Sequence, residues 1–153
     1  MKIPKKYLSR HHLDAYSEME FSNYLFDKGF QPFFPFKDKG VDIIAFKNNN
    51  FELYQLKARK WSRRHPWYYW FPIKRKDIKK LKSLKNKRTY FILCALQTNQ
   101  KFHFFKVPLK IIEEYFKKTP KTRFFKINKV EDKKYEISPK RIKININRYL
   151  LDN

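Results

Sequence analysis

Glycine is almost absent from this 153-residue chain, with Gly29 and Gly40 the only two. That scarcity argues against a glycine-rich phosphate-binding loop, and neither GxGxxG nor GxxxxGK[ST] occurs. Cysteine appears once, at Cys94 in the apolar run YFILCAL. A disulfide framework and a cysteine-rich zinc site within one chain are thereby excluded, and Cys94 reads as a small buried residue. The four histidines, His11, His12, His65 and His103, show no zinc-ligand spacing. No run is apolar for long enough to span a bilayer as a helix, and the N-terminal MKIPKKYLSRHH lacks the apolar core of a signal peptide. The expected setting is the reducing cytosol, in association with the nucleoid, with no membrane partner. Acids are scarce as well: 14 Asp and Glu face 37 Lys and Arg, a formal net charge of +23. Such a field attracts polyanions, and nucleic acid is the usual partner of a folded basic domain. A membrane-surface role needs a basic helix with a separate apolar face, and no clean example is present.

Core material is plentiful. Aromatic residues make up 19% of the chain, mostly 16 Phe and 10 Tyr, and the length is most simply that of one domain. The spacing of apolar residues predicts a helix over Asp14 to Lys28, stopped by Gly29, with Phe21, Leu25 and Glu18 on one stripe. A short strand follows at Phe33 to Phe36. Strands are expected at Val41 to Phe46 and Phe51 to Ala58, separated by a turn at Asn48-Asn49-Asn50. Lys60 to Phe71 reads as a basic, aromatic loop. Ile73 to Lys87 reads as a helix with Ile78, Leu81 and Leu84 inward. Tyr90 to Leu96 has the continuous apolar character of a central strand, and Lys101 to Val107 is a further strand. Pro108 begins a helix to about Lys118. The rest is basic and mixed, with β-like runs at Phe124 to Ile127 and Ile142 to Ile146.

The stretch KGVDIIAFKNNNFELYQLK, Lys39 to Lys57, carries the chemistry. Asp42 sits within an apolar run, and the second run ends with Gln55 and Lys57. Residues two apart on a strand share a face, so Gln55 and Lys57 project together and an antiparallel neighbour brings Asp42 beside them. A carboxylate, an amide oxygen and a lysine at one point can hold a divalent cation and position a water. Glu52 falls on the opposite face of the same strand. On the first helix, Glu20 lies about 200° around from Glu18; Glu18, which shares the Phe21–Leu25 stripe, is the one expected to face the site.

The order α-β-β-β-α-β over about Tyr16 to Val107 resembles the PD-(D/E)xK nuclease superfamily, which includes restriction endonucleases, archaeal Holliday-junction resolvases and small homing endonucleases. The matching pieces are ExxFxxYLxxxGF from Glu18 to Phe30, GVD from Gly40 to Asp42, and QLK from Gln55 to Lys57. Val41 stands where the superfamily often has proline, and Gln55 where it has an acid. The resemblance implies an α/β fold with a restriction-endonuclease-like αβββαβ core. In it a central mixed sheet is flanked by helices, in a single nuclease domain with a core at about 14–118 and a basic C-terminal extension at 119–153.

It also implies metal-assisted phosphodiester hydrolysis with Mg²⁺, or Mn²⁺ as a substitute. Asp42 binds the metal, Gln55 and the Leu56 carbonyl add oxygens, Lys57 orients or deprotonates the water, and Glu18 stands at the edge. Glutamine brings no formal charge, so a weaker metal site is expected. In ARKWSRRHPWYYWFPIKRKDIKKLK the basic residues Arg59, Lys60, Arg63, Arg64, Lys74, Arg75, Lys76, Lys79 and Lys80 are expected to contact nucleic acid. Trp61, Trp67, Tyr68, Tyr69 and Trp70 either stack on bases or belong to a core or subunit interface. Lys121, Arg123, Lys126, Lys140, Arg141 and Lys143 offer either a reading surface or dimer contacts. Two readings stand: an endonuclease on duplex or branched DNA, most simply a homodimer or higher homo-oligomer, or a non-catalytic nucleic-acid-binding protein of the same fold.

Overall fold

The computed structural model describes residues 10–36, 40–64, 66, 68–131, 134–137 and 144–151. Helix α1 (Arg10–Asp27) is followed by strands β1 (Gln31–Phe33), β2 (Ile43–Lys47), β3 (Asn50–Lys60) and β4 (Tyr68–Pro72). Helix α2 (Arg75–Ser83), strands β5 (Thr89–Leu96) and β6 (Phe102–Pro108) and helix α3 (Leu109–Lys118) come next. Strands β7 (Phe124–Glu131), β8 (Lys134–Ile137) and β9 (Ile144–Asn145) and a 3-10 turn at Ile146–Tyr149 complete the order.

Five strands form a mixed sheet in the order β1-β2-β3-β5-β6. Strands β3 and β5 run parallel and the other pairs antiparallel. Asn48 and Asn49 take positive φ, 50° and 59°, between the paired residues Lys47 and Asn50. A two-residue turn of that kind matches the twist of its strands, and asparagine tolerates the left-handed region better than most residues. It fixes the β2–β3 register, which places Ile43 opposite Tyr54. Helix α1 covers one face of the sheet through Leu13, Phe21 and Leu25 against Ile43, Tyr54, Ile92 and Phe104. Helices α2 and α3 cover the other through Ile78, Leu81, Ile112 and Phe116 against Phe91, Leu93 and Val107. The result is a restriction-endonuclease-like core.

Several boundaries differ from expectation. The early strand is Gln31–Phe33 rather than Phe33 to Phe36, with Pro32 on an edge strand where a missing N–H is tolerated. Ile73 and Lys74 are outside α2, Lys74 being extended, and the helix ends before Lys85 at φ 54°. The expected loop from Lys60 to Phe71 contains a strand, β4. Tyr68 and Trp70 face outward while Tyr69 and Phe71 are buried. Aromatic residues at both parities gave the sequence no alternation from which to read that strand. Strand β4 pairs with β7 and founds a second sheet, β4-β7-β8-β9. Its inner face, with Phe125, Ile127 and Tyr135, and Ile146 of the 3-10 turn join the α2–α3 side of the core. The C-terminal part is thus built into the core rather than appended to it. Among the described residues, no helix is long and apolar enough to cross a membrane.

Candidate active site

Strands β2 and β3 separate just where the acidic residue stands. The backbone N–H of Asp42 still bonds the Tyr54 carbonyl at 2.8 Å, and Gly40 takes a φ of +80°. A side chain at 40 is opposed by that φ, and a Cβ there meets the Lys80 Cβ at 3.4 Å and Gln55 Oε1 at 3.6 Å. Strand β3 runs on to Lys60, so from Gln55 onward its β2 side borders a fork rather than a neighbour strand. Asp42 fills the fork. Its Oδ2 accepts the Leu56 backbone N–H at 2.6 Å and the Gln55 side-chain N–H at 2.8 Å. The N–H and C=O of one strand residue project to the same side, so the Leu56 carbonyl faces the fork as well.

The cleft at this fork has a volume of about 350 Å³. Asp42, Gln55, Leu56 and Lys57 line it from the β2–β3 side, Asp14 and Glu18 from α1, and Lys76, Asp77 and Lys80 from α2, and Arg59, Pro72 and Lys74 line it too. The sequence-predicted Asp42, Gln55, Lys57, Leu56 and Glu18 therefore come together. Gln55 is buried, and its Oε1 is an enclosed oxygen with no hydrogen-bond donor on it. Lys57 is partly exposed, with its Nζ 3.9 Å from Asp77 Oδ2. Glu18 is held above the ordinary glutamate range by burial first, and then by the negative charges of Asp42 and Asp14. Among the described residues, no group of three or more His, Cys, Asp or Glu side chains is arranged to hold a metal ion. The oxygen donors gathered here are instead mixed: carboxylate, amide and main-chain carbonyl.

Asp77 and Asp14 belong to the cleft, and the sequence reading did not single them out. Asp14 lies one helical turn before Glu18, so its spacing was a usable signal. Asp77 is the lone acid among Arg75, Lys76, Lys79 and Lys80, and its partnership with Lys57 exists only through the packing of α2. Glu20 lies beside Tyr16, and with burial as the larger cause it raises the Tyr16 hydroxyl. Glu52 is buried on the opposite face, bonded to the Tyr54 hydroxyl and to Lys106 Nζ.

Of the basic residues expected at nucleic acid, Arg59, Lys74, Lys76 and Lys80 line the cleft. Lys60, Arg63, Arg64 and Lys79 are exposed and are not among the residues that line it. Arg75 points elsewhere: its guanidinium donates to the Pro120 carbonyl at 2.6 Å and tethers α2 to the end of α3. Trp61 packs against the α2–α3 side of the core. His12 is exposed, and His103 Nδ1 lies 2.6 Å from the Tyr135 hydroxyl. Trp67, His65, Lys140, Arg141 and Lys143 lie outside the described residues, as does the His11 side chain.

No protein-family model matches the chain, and no curated protein matches it by sequence. Solved structures of restriction-endonuclease-like nucleases do share its fold. One is a bacterial homing endonuclease, I-Ssp6803I, with a TM-score of 0.58 at 12% identity over 93% of this chain and 86% of that one. Another is Hjc, a Holliday junction resolvase from the archaeal hyperthermophile Archaeoglobus fulgidus, with a TM-score of 0.51 at 15% identity over 75% of this chain and 83% of that one.

Proposed function

We propose that this protein is a metal-dependent endonuclease that hydrolyses phosphodiester bonds in duplex or branched DNA. The observation that carries the proposal is the convergence of Asp42, Gln55, Lys57 and Glu18 on one cleft rimmed by lysine and arginine, at the β2–β3 fork of a restriction-endonuclease-like fold. The fold neighbours, a homing endonuclease and a junction resolvase, support the class of activity and the choice of DNA. Either substrate type, a specific duplex site or a four-way junction, suits the cleft. Two symmetric copies would supply one cleft per strand.

The donor set fits a hard cation such as Mg²⁺, with Mn²⁺ as a substitute. All donors are oxygens, as such ions require, and the enclosed Gln55 Oε1 is an acceptor with no proton to accept. Asp42, Gln55 and the Leu56 carbonyl would hold it, with Glu18 at the rim. A bound divalent cation neutralises charge on the scissile phosphate and makes its water more acidic. Lys57 projects into the same cleft, where its ammonium orients the attacking water and offsets charge on the phosphorus oxygens in the transition state. Asp77 holds Lys57 in place from α2. Arg59, Lys74, Lys76 and Lys80 draw the DNA backbone into the cleft.

One observation favours the second reading, a non-catalytic DNA-binding protein. Gln55 turns its N–H rather than its oxygen to Asp42, so the clasp satisfies the carboxylate without a cation. Incubating supercoiled plasmid and a synthetic four-way junction with Mg²⁺, Mn²⁺ or EDTA separates the two. The expected result is cutting that requires the metal and falls by roughly 10²–10⁴-fold in Lys57→Ala. DNA affinity in EDTA should be nearly unchanged, and calorimetric Mg²⁺ binding should be lost in Asp42→Asn. Tight binding across a broad pool of DNA sequences, without cutting by the parent protein, establishes the second reading instead.

A further inference from the structure

The outer face of the second sheet carries a row of rings beside the cleft. Tyr68 and Trp70 on β4 stack with centroids 5.0 Å apart and 16° between planes. Phe124 on β7 extends the row, 5.5 Å from Trp70. Lys126, the cross-strand partner of Trp70, lays its Nζ 4.2 Å over the Tyr68 ring. The opposite parity of both strands, Tyr69, Phe71, Phe125 and Ile127, is buried in the core. The core therefore does not account for the outer row. Trp70 is 42% exposed and Phe124 40%, so part of each ring is open to solvent.

We propose that this row is a stacking platform for unpaired nucleotide bases next to the phosphate in the cleft. The substrate is then DNA with unstacked bases at or beside the cut, such as a branch point, bulge or gap. Three observations support that occupant. First, flat aromatic faces recognise flat base faces, which an intact duplex hides inside its own stack while offering edges and phosphates. Secondly, charge selects a polyanion. Lys126 is part of the row, and in a chain of net charge +23 a second copy placed on this face would set lysine against lysine. Thirdly, the platform leads directly into the cleft. Pro72, which lines the cleft, is two residues beyond Trp70 on the same face, about 7 Å along the strand. Arg59, another lining residue, donates Nε to the Trp70 carbonyl at 3.0 Å. Stacked nucleotides advance about 3.4 Å each along a strand, so a base on Trp70 sits about two nucleotides from Pro72 of the cleft. The rings are already ordered against one another, so a base meets them with little further loss of side-chain freedom.

That placement beside a scissile phosphate rests on the nuclease reading, whereas the base-stacking itself does not. The test is therefore binding, in EDTA, at fixed salt. An intact duplex, the same duplex with a short unpaired gap, and a single strand of equal length are titrated against the full chain by anisotropy, with tryptophan quenching in parallel. The parent should prefer the gapped and single-stranded DNA. Trp70→Thr, which keeps a strand-forming residue on the exposed face, should lose about tenfold or more of that preference, the size of one base–aromatic stack. Its affinity for intact duplex and its salt dependence should stay unchanged. Trp70→Phe should recover most of the loss, and a circular dichroism melt confirms that both variants fold. An unchanged preference in folded Trp70→Thr overturns the proposal. So does a shift from oligomer to monomer on sedimentation with DNA binding intact, which would make the face a contact between copies. A preference that persists in a protein that cuts nothing leaves the platform standing and removes the nuclease reading.

Discussion

Glu18 shows what the cleft demands of single side chains. Burial and the neighbouring charges of Asp42 and Asp14 make the folded chain hold its proton more tightly than the unfolded chain does. A carboxyl raised in this way contributes stability that is fully present below the unfolded value near 4.3. That contribution is lost as pH rises through the folded value, because the half-buried carboxylate must then ionise beside two others. Glu18→Gln removes the ionisation. Its melting temperature in EDTA should exceed that of the parent at pH 8 and equal it near pH 4; equal melting at both would show that Glu18 is not confined with the other acids. Asp42 and Gln55 illustrate a different economy of position. Their pairing with each other and with the Leu56 N–H organises the fork before any ligand arrives.

At the scale of elements, β3 divides its duties by parity. Gln55 and Lys57 face α2 and the cleft, whereas Glu52 and Tyr54 face α1. On that second face Glu52 bonds the Tyr54 hydroxyl and Lys106 of β6, and Lys106 passes over the Tyr90 ring of the intervening β5 at 4.3 Å. Burial and the Glu52 bond push the Tyr54 hydroxyl far above its ordinary range. The Glu52–Lys106 pair thus links β3 to β6 across β5. Glu52→Gln leaves the Lys106 ammonium half-buried without its counter-charge, which should cost about 2 kcal/mol by urea denaturation. That is less than the roughly 3–5 kcal/mol for fully buried pairs, since Lys106 reaches solvent. Glu52→Gln with Lys106→Met should recover most of it; no recovery would mean that the loss comes from the Tyr54 bond instead. The legibility of these elements followed the same division. The Asp42, Gln55 and Lys57 arrangement was readable because a two-residue turn and period-two geometry are local. Strand β4 was not, because apolar rings at both parities conceal which face is buried.

At the scale of the molecule, the second sheet is part of the same core as the first. Phe125, Ile127, Tyr135 and Ile146 are all buried with Phe105 and Val107 of the central sheet. Burying four such side chains is worth roughly 6–12 kcal/mol, comparable to the whole stability of a domain this size. A chain ending at Lys118 should therefore show no cooperative thermal transition by circular dichroism. A sharp melt would mean that the core ends near Lys118 and that 119–153 is an extension of it, the division the sequence suggested.

Composition and local spacing by themselves determined the basic, aromatic-rich character of this protein, the two halves of its acidic fork and the α/β order around them. The count of basic and acidic residues and the period of two along a strand are present in the chain before it folds. Tertiary structure alone decided that α2 delivers Asp77 to Lys57, that Arg75 is spent on the end of α3 rather than the cleft, and that β4 and β7 bring Trp70 and Lys126 together on one outer face. Those meetings join residues separated by tens of positions, with no periodic pattern between them. They arise only when helices and strands pack into one core and bring distant parts of the chain within a few ångströms of each other.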